Sequence, residues 1–311
     1  MNSDAAIKHS DRPKISIGMP LYNAEAFLRK RLDSILSQSF TDFELIISDD
    51  ASTDSTALIC NEYLKKDKRI RYFHQEKNMG ITWNFNFVLQ EAKSKYFMWA
   101  AADDIISHDF LEKNIIILES KKNVVASISK IEQYGETCNN LQVNKIDSEF
   151  RGLIKKLRKS FKHMGVYPIS GSYEKKVRFY LRKSTCKIIH SVYRTDILQQ
   201  CIIHKPFLGN DWAIILSVLK YGDFDVVNET LMYEFEDGVS ATGSINISRK
   251  YHHGFLGIIF PWYPLTVWCI RNLGMNIFLK NFDFFIRLNF EGMISFSLDI
   301  IRLLFHKLMN K

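Results

Sequence analysis

Apolar runs of four to six residues recur through the first hundred residues, and segments of helical spacing separate them. Lys14 to Met19 alternates into a strand that stops at Pro20. Ala24 to Gln38 follows as a helix, with Phe27, Leu28, Leu32, Ile35 and Leu36 at helical spacing and Asn23 placed to cap it. Phe43 to Ile47 is a second strand, and Ser52, Thr53 and Asp54 offer caps for a helix ending near Leu64. Ile70 to Phe73 is a third strand; the turn Asn78-Met79-Gly80 and a helix over Trp83 to Ala92 lead to a fourth, Tyr96 to Ala100. Four alternations at this spacing predict an α/β domain, with a mostly parallel sheet joined by right-handed crossovers.

The strands share polar ends. Tyr22 to Glu25, the pair Asp49 and Asp50, and the pair Asp103 and Asp104 each follow an apolar run. In an open sheet of this kind the ligand sits outside the carboxyl ends of the strands. Adjacent carboxylates repel, and hard oxygen donors suit Mg²⁺ or Mn²⁺. Solvated helix caps would account for one such set, but would have to recur by chance for three. No GxxxxGK loop and no GxGxxG fingerprint is present. The five cysteines are scattered and never form a CxxC, which argues against zinc or a disulfide framework and fits a reducing cytoplasm. The polar first fourteen residues do not read as a signal peptide. The net charge of +8 points to anionic partners.

The segments PLYNAEAFLRKRLDSILSQSF and ELIISDDASTDST, then NMGITWNFN and YFMWAAADD, stand in one order and spacing over residues 14 to 125. Together they resemble the opening of the family 2 glycosyltransferases. The resemblance implies a GT-A-type, Rossmann-like fold, a nucleotide-sugar donor (a UDP-sugar by preference), a divalent metal (Mn²⁺ or Mg²⁺) and inversion at the anomeric carbon. It implies that Pro20, Tyr22 and Glu25 line the nucleotide pocket and that Asp50, beside Asp49, meets the base. Asp103 would face the ribose or diphosphate, and Asp104 would hold the metal. Two positions depart from the family pattern. Trp83 stands where a basic residue often precedes the Asn of the third helix, and Glu236 or Asp237 lies where a His often serves the metal.

The reading divides the chain into a donor-binding half (1–125), an acceptor-binding half of the same domain (126–240) and a C-terminal apolar helical region (241–311). Glycosyl transfer also needs a base for the acceptor hydroxyl. Asp211 follows a Gly-Asn turn and opens an apolar helix over Trp212 to Leu219. It fits a helix cap on chemistry alone, and by position it resembles the family's catalytic base. Arg151 to Lys187 holds 12 Lys/Arg and one acid, Glu174, with a basic amphipathic helix around Leu153 to Phe161. That helix is either a solvated face or a contact for anionic lipid or a lipid-linked acceptor. Lys187 to Val192 reads as a returning strand, with His190 packed at its end.

Gly254 to Ile270 carries no charge but is interrupted by Pro261 and Pro264, so it reads as a packed or re-entrant segment. From Phe282 to Met309 the polar residues fall on one narrow stripe, with Asp283, Arg287 and Glu291 spaced to pair and Gly292 placed to bend or split the helix. From residue 241 on, eight Lys/Arg face three acids. This composition suits peripheral contact with the inner face of the cell membrane, or a homo-oligomer through these helices. The leading expectation is a cytoplasmic transferase that moves a sugar to a hydroxyl of a saccharide or lipid-linked acceptor in surface polysaccharide or glycolipid synthesis. The alternatives are a non-catalytic nucleotide-sugar-binding partner and a nucleotidyltransferase. Nucleic acid is not expected as a ligand, because no reader motif accompanies the basic stretch.

Overall fold

Ile15 to Leu21 is buried along nearly its whole length, on both faces, which is what a central strand of a parallel sheet requires. This strand, β1 (Ile15–Leu21), pairs in parallel with β2 (Phe43–Asp49) on one side and β4 (Tyr96–Trp99) on the other. β3 (Ile70–His74) extends the parallel set beyond β2. The computed structural model describes residues 12–134, 165–235 and 254–309.

Beyond β4 the sheet changes sense. β7 (Val192–Arg194) runs antiparallel to both β4 and β6 (Val124–Tyr134), and β5 (Ile105–Ile106) runs antiparallel to β8 (Asp223–Phe235). The eight strands lie in the order β3-β2-β1-β4-β7-β6-β8-β5. The fold is thus a mixed α/β sheet whose first half is the expected parallel one.

The helices α1 (Glu25–Leu36), α2 (Thr56–Leu64), α3 (Ile81–Glu91) and α4 (Phe110–Ser120) connect the early strands. On α1 the buried face is Leu28, Arg31, Leu32 and Ile35; Phe27, expected on it, is exposed. Gln38 fastens α1 to the start of α4: its amide donates to the Ser107 carbonyl at 2.7 Å and its carbonyl accepts from Leu111 N–H at 3.1 Å. The Lys187 to Val192 strand is not formed as expected. Cys186–His190 is a 3₁₀ turn, and the strand itself is the three residues of β7, followed by α6 (Thr195–Gln199).

The chain divides into two compact units. The first comprises Met1–Glu132, Ile189–His204 and Tyr221–Glu234 and carries the sheet. The second comprises Gln133–Ile188, Lys205–Lys220 and Phe235–Lys311. It contains α5 (Tyr173–Lys183), α7 (Asn210–Val218), α8 (Gly254–Ile259), α9 (Tyr263–Leu273), α10 (Met275–Leu279) and α11 (Phe282–Met309). The predicted basic helix around Leu153 lies outside the described residues.

The second unit is held by aromatic packing. Trp212 of α7 stacks on Phe284 of α11 at 5.9 Å, tilts against Trp262 at 6.1 Å and against Tyr180 of α5 at 5.4 Å. Pro264 sits in the first turn of α9, where a missing N–H costs nothing. Gly292 does not split α11. A Cβ there would lie 2.8 Å from the Trp262 ring, so the glycine admits close packing instead. Asp283 pairs with Arg182 at 2.7 Å rather than with Arg287, which pairs with Glu291 at 3.0 Å. Among the described residues no helix is long and apolar enough to cross a membrane.

Candidate active site

The loop between β1 and α1 and the loop between β2 and α2 are laced together by side chain to backbone hydrogen bonds. The Asn23 carbonyl oxygen accepts from Thr53 N–H at 2.8 Å, and Asn23 N–H donates to the Ser52 hydroxyl at 2.9 Å. Ala24 N–H donates to the Thr56 hydroxyl at 2.8 Å. Glu25 N–H donates to Asp54 at 3.1 Å, and the Glu25 carboxylate accepts from Ser55 N–H at 2.8 Å. Asn23 is therefore a brace and not the helix cap expected of it; α1 has no side-chain cap. Among the described residues the non-glycine positive φ angles are those of Asn23 (50°) and Ala51 (57°), one in each of these loops. Such backbone strain persists where surrounding bonds over-determine it, and it gathers at functional sites.

These braces set the predicted nucleotide residues at one edge of the sheet. Pro20 pairs with Ser48 in the parallel ladder, and Tyr22 just beyond it is half exposed. Asp49 is fully buried and accepts from Tyr72 O–H at 3.0 Å and Ser52 N–H at 3.0 Å, with His74 Nδ1 at 3.2 Å. Burial raises the Tyr72 hydroxyl, and the Asp49 charge adds to it. Asp50 is buried too. Its two oxygens accept from Met79 N–H at 2.7 Å and Gly80 N–H at 2.9 Å, so it holds the turn that starts α3. Each of these oxygens keeps a second lone pair. Asn84, in α3, donates to the Leu21 and Ser48 carbonyls at 3.2 and 3.0 Å and ties the ends of β1 and β2 together.

Asp103 and Asp104 lie between β4 and β5. Asp104 is 3% exposed and Asp103 half-buried. Burial pushes the Asp103 carboxyl above its usual range, and the adjoining Asp104 charge adds to the rise; His190 and Arg31 act against it. The edge thus concentrates negative charge in a partly dehydrated place, which a cation would neutralise. Arg31 and His190 were missed in the sequence as members of this neighbourhood. The signal for Arg31 was present: it shares the i, i+3, i+4, i+7 stripe of α1 with apolar residues.

Asp211 belongs to the second unit, in the first turn of α7 behind Gly209, whose φ is +96°. The Cys186 thiol hydrogen-bonds the Asp211 carboxylate; burial raises that thiol, and the Asp211 charge raises it further. Glu236 and Asp237 lie outside the described residues. Among the described residues no group of three His, Cys, Asp or Glu is arranged to hold a metal ion.

A parallel sheet with acids at the carboxyl ends of β2 and β4, continued by antiparallel strands, is the GT-A type of nucleotide-sugar transferase fold. The profile of glycosyl transferase family 2 matches residues 16–178, and the chain belongs to that family. An uncharacterized glycosyltransferase of Haemophilus influenzae is 42% identical over 103 residues, 33% of this chain and 41% of that protein. The chain thus spans less than half of that relative. The GalNAc(5)-diNAcBac-PP-undecaprenol beta-1,3-glucosyltransferase of Campylobacter jejuni is 27% identical over 247 residues, 77% of this chain and 71% of that protein. In fold, the mannosyltransferase PcManGT of Pyrobaculum calidifontis, solved with GDP-Man and Mn²⁺, superposes with a TM-score of 0.53. That match has 15% identity and covers 96% of this chain and 76% of that one.

Proposed function

We propose that the chain is a metal-dependent, inverting glycosyltransferase that moves a sugar from a nucleoside-diphosphate-sugar to a hydroxyl of a saccharide or lipid-linked acceptor. The observation that carries the reading is the Asp103–Asp104 pair, dehydrated at the same sheet edge as the laced loops of the family motif. Pro20, Tyr22, Glu25 and Asp50 bind the nucleotide, Asp103 faces the ribose or diphosphate, and Asp104 holds the metal. The residues fit Mg²⁺ or Mn²⁺: such ions are bound by one or two carboxylates, with water and substrate phosphate completing the shell. The Mn²⁺ and nucleotide-sugar bound to the mannosyltransferase of similar fold support the same assignment.

When bound, the cation neutralises the charge that develops on the leaving diphosphate. Asp211 accepts the proton of the acceptor hydroxyl as that oxygen bonds to the anomeric carbon. The bond from that carbon to the diphosphate oxygen breaks on the opposite face, the configuration inverts, and the nucleoside diphosphate departs with the bonding pair. The lipid-linked substrate in the Campylobacter relative's name supports an acceptor of that class in surface polysaccharide or glycolipid synthesis.

Contact with the inner face of the cell membrane draws on the second unit. Met275, Leu279, Phe282, Ile286, Phe290 and Ile294 are 38–60% exposed and recur at steps of three or four residues. Their stripe belongs to a region of net charge +5 from residue 241 on, a combination suited to an anionic leaflet.

The test is product release from UDP- and GDP-sugars with Mn²⁺, using wild type, Asp104→Asn and Asp211→Asn. Asp104→Asn should abolish transfer with the fold intact. Asp211→Asn should keep donor binding and lose turnover by about 10²–10⁴-fold. Near-normal activity of Asp104→Asn in metal-depleted buffer overturns the metal role. An Asp211→Asn protein that melts early, with its folded fraction fully active, makes that residue a cap. Donor binding by wild type without turnover on any acceptor makes the chain a non-catalytic binding partner.

A further inference from the structure

We propose that the amino-terminal edge of the parallel strands carries a second ligand site, which binds a phosphate-bearing anion. The carboxyl ends of these strands are taken by the acids described above. Their opposite ends border a cavity of about 660 Å³ whose lining lies within the first unit. Sites for small molecules occupy roughly 300–1,000 Å³. β1 has seven residues, so at about 3.3 Å per residue the two edges lie roughly 20 Å apart. Backbone pairing builds the wall. Tyr96 N–H donates to the Lys14 carbonyl at 3.1 Å, and Thr195 N–H donates to the Lys95 carbonyl at 3.1 Å. Lys14, Lys95 and Thr195 thus stand side by side at the ends of three neighbouring strands, β1, β4 and β7, and all three line the cavity.

The charge of the lining favours an anion. Five Lys/Arg face the cavity against Asp42 and Asp196. Glu119 offsets Lys14 at 3.2 Å and Lys95 at 3.0 Å, and a surplus of two positive charges remains. Arg12 and Lys93 are exposed and have no ion pair among the described residues. Arg194 donates to the Val124, Leu118 and Lys121 carbonyls at 2.9, 2.7 and 3.3 Å, which fixes its guanidinium without neutralising it. Thr195 points the same way through burial. It is 5% exposed, and its buried hydroxyl oxygen has no hydrogen-bond partner among the described residues. A buried hydroxyl left unsatisfied costs free energy that a valine of similar shape would avoid. An anion in the cavity supplies the missing acceptor. A phosphomonoester carries about −1.5 to −2 charge at pH 7, which matches the surplus, and its three free oxygens suit donors drawn from three chain segments.

The experiment is calorimetric titration of the full chain with glycerol 3-phosphate in EDTA, so that no metal-assisted binding at the acidic edge contributes. The proteins are wild type, Thr195→Val, and Arg12→Ala combined with Lys93→Ala. Sedimentation with phosphatidic acid vesicles, with and without glycerol 3-phosphate, separates a free phosphomonoester from a lipid headgroup. Whichever source wild type binds, Thr195→Val should weaken it about tenfold, the worth of a hydrogen bond to a charged group, and the double substitution should weaken it further. UDP affinity in Mg²⁺ should stay at the wild-type value in both variants. Thr195→Val should melt no lower than wild type, because the hydroxyl it removes bonds nothing in the chain. Equal binding by all three proteins overturns the proposal, as does failure of wild type to bind either probe. A parallel loss of UDP affinity places the phosphate at the acidic edge and overturns it too. So does a Thr195→Val protein that melts earlier than wild type, since the fold itself then uses that hydroxyl.

Discussion

Asp50→Asn separates two jobs that the resemblance and the structure give to one carboxylate. Asp50 is 2% exposed and receives Met79 N–H on one oxygen and Gly80 N–H on the other, at 2.7 and 2.9 Å. Asparagine retains one acceptor and turns its NH₂ group toward the second backbone N–H, which is left without a partner. A hydrogen bond to a charged group contributes about 1.5–3 kcal/mol. One such bond is lost and the other falls to the strength of a neutral pair, so the expected cost is about 2–4 kcal/mol. Gly80 holds φ at +91° just ahead of α3, so the damage falls on the start of the helix that carries Asn84. For a cooperative unit of about 160 residues, each kcal/mol lowers Tm by about 2–4 °C, giving a fall of roughly 4–16 °C. Urea unfolding and thermal melting read the stability, and UDP titration in Mg²⁺ reads the site. An unchanged Tm together with lost nucleotide affinity would refute the turn-holding argument and leave Asp50 as a base contact alone.

Three further outcomes follow from the same structure. Gly292→Val should destabilise the second unit by about 1–3 kcal/mol despite its gain in helix propensity, because the new Cβ meets the Trp262 ring at 2.8 Å; near-UV circular dichroism and urea unfolding check it. Glu119, held at about 2 chiefly by its hydrogen bond from Lys95, contributes stability that is present above its unfolded value of 4.5 and lost as pH falls toward about 2. Glu119→Gln should therefore be less stable than wild type at pH 7, by under about 1 kcal/mol for so exposed a pair, and the two should converge in that acid window. Full-length chain should sediment with phosphatidylglycerol vesicles, and Ile286→Glu with Phe290→Glu should abolish this; a wild-type chain that ignores vesicles and forms a dimer assigns the stripe to a second copy instead.

What could be read from the sequence was what local chemistry determines. Strands buried on both faces read as near-continuous apolar runs, so β2 and β4 were visible, with the acids at their ends, while β1 showed as a short alternating segment that stops at Pro20. The antiparallel half was less visible because β7 is only three residues long and is defined by its neighbours. Asn23 before a helix has the chemistry of a cap, yet its carbonyl oxygen is spent on Thr53 of another loop, a partner no local rule supplies. Gly292 reads as a weak point in a helix until Trp262 is known to press against it.

The two basic residues near Asp103 show the same limit more sharply. Arg31 is 1% exposed in a helix whose charged residues otherwise face water, and a buried guanidinium is tolerable only beside negative charge. The pattern of α1 alone marks Arg31 as anomalous, without saying which acid its charge acts on; Asp103, brought near by the fold, is one such acid. His190 carries no such mark, since a histidine before a short strand is unremarkable in any sequence. Its place near Asp103 arises only from the fold, in which β7, two residues after it, pairs with β4. A site assembled from strand ends is therefore legible where one strand carries its own pair of acids. It is illegible where a residue acts through the strand it lies beside.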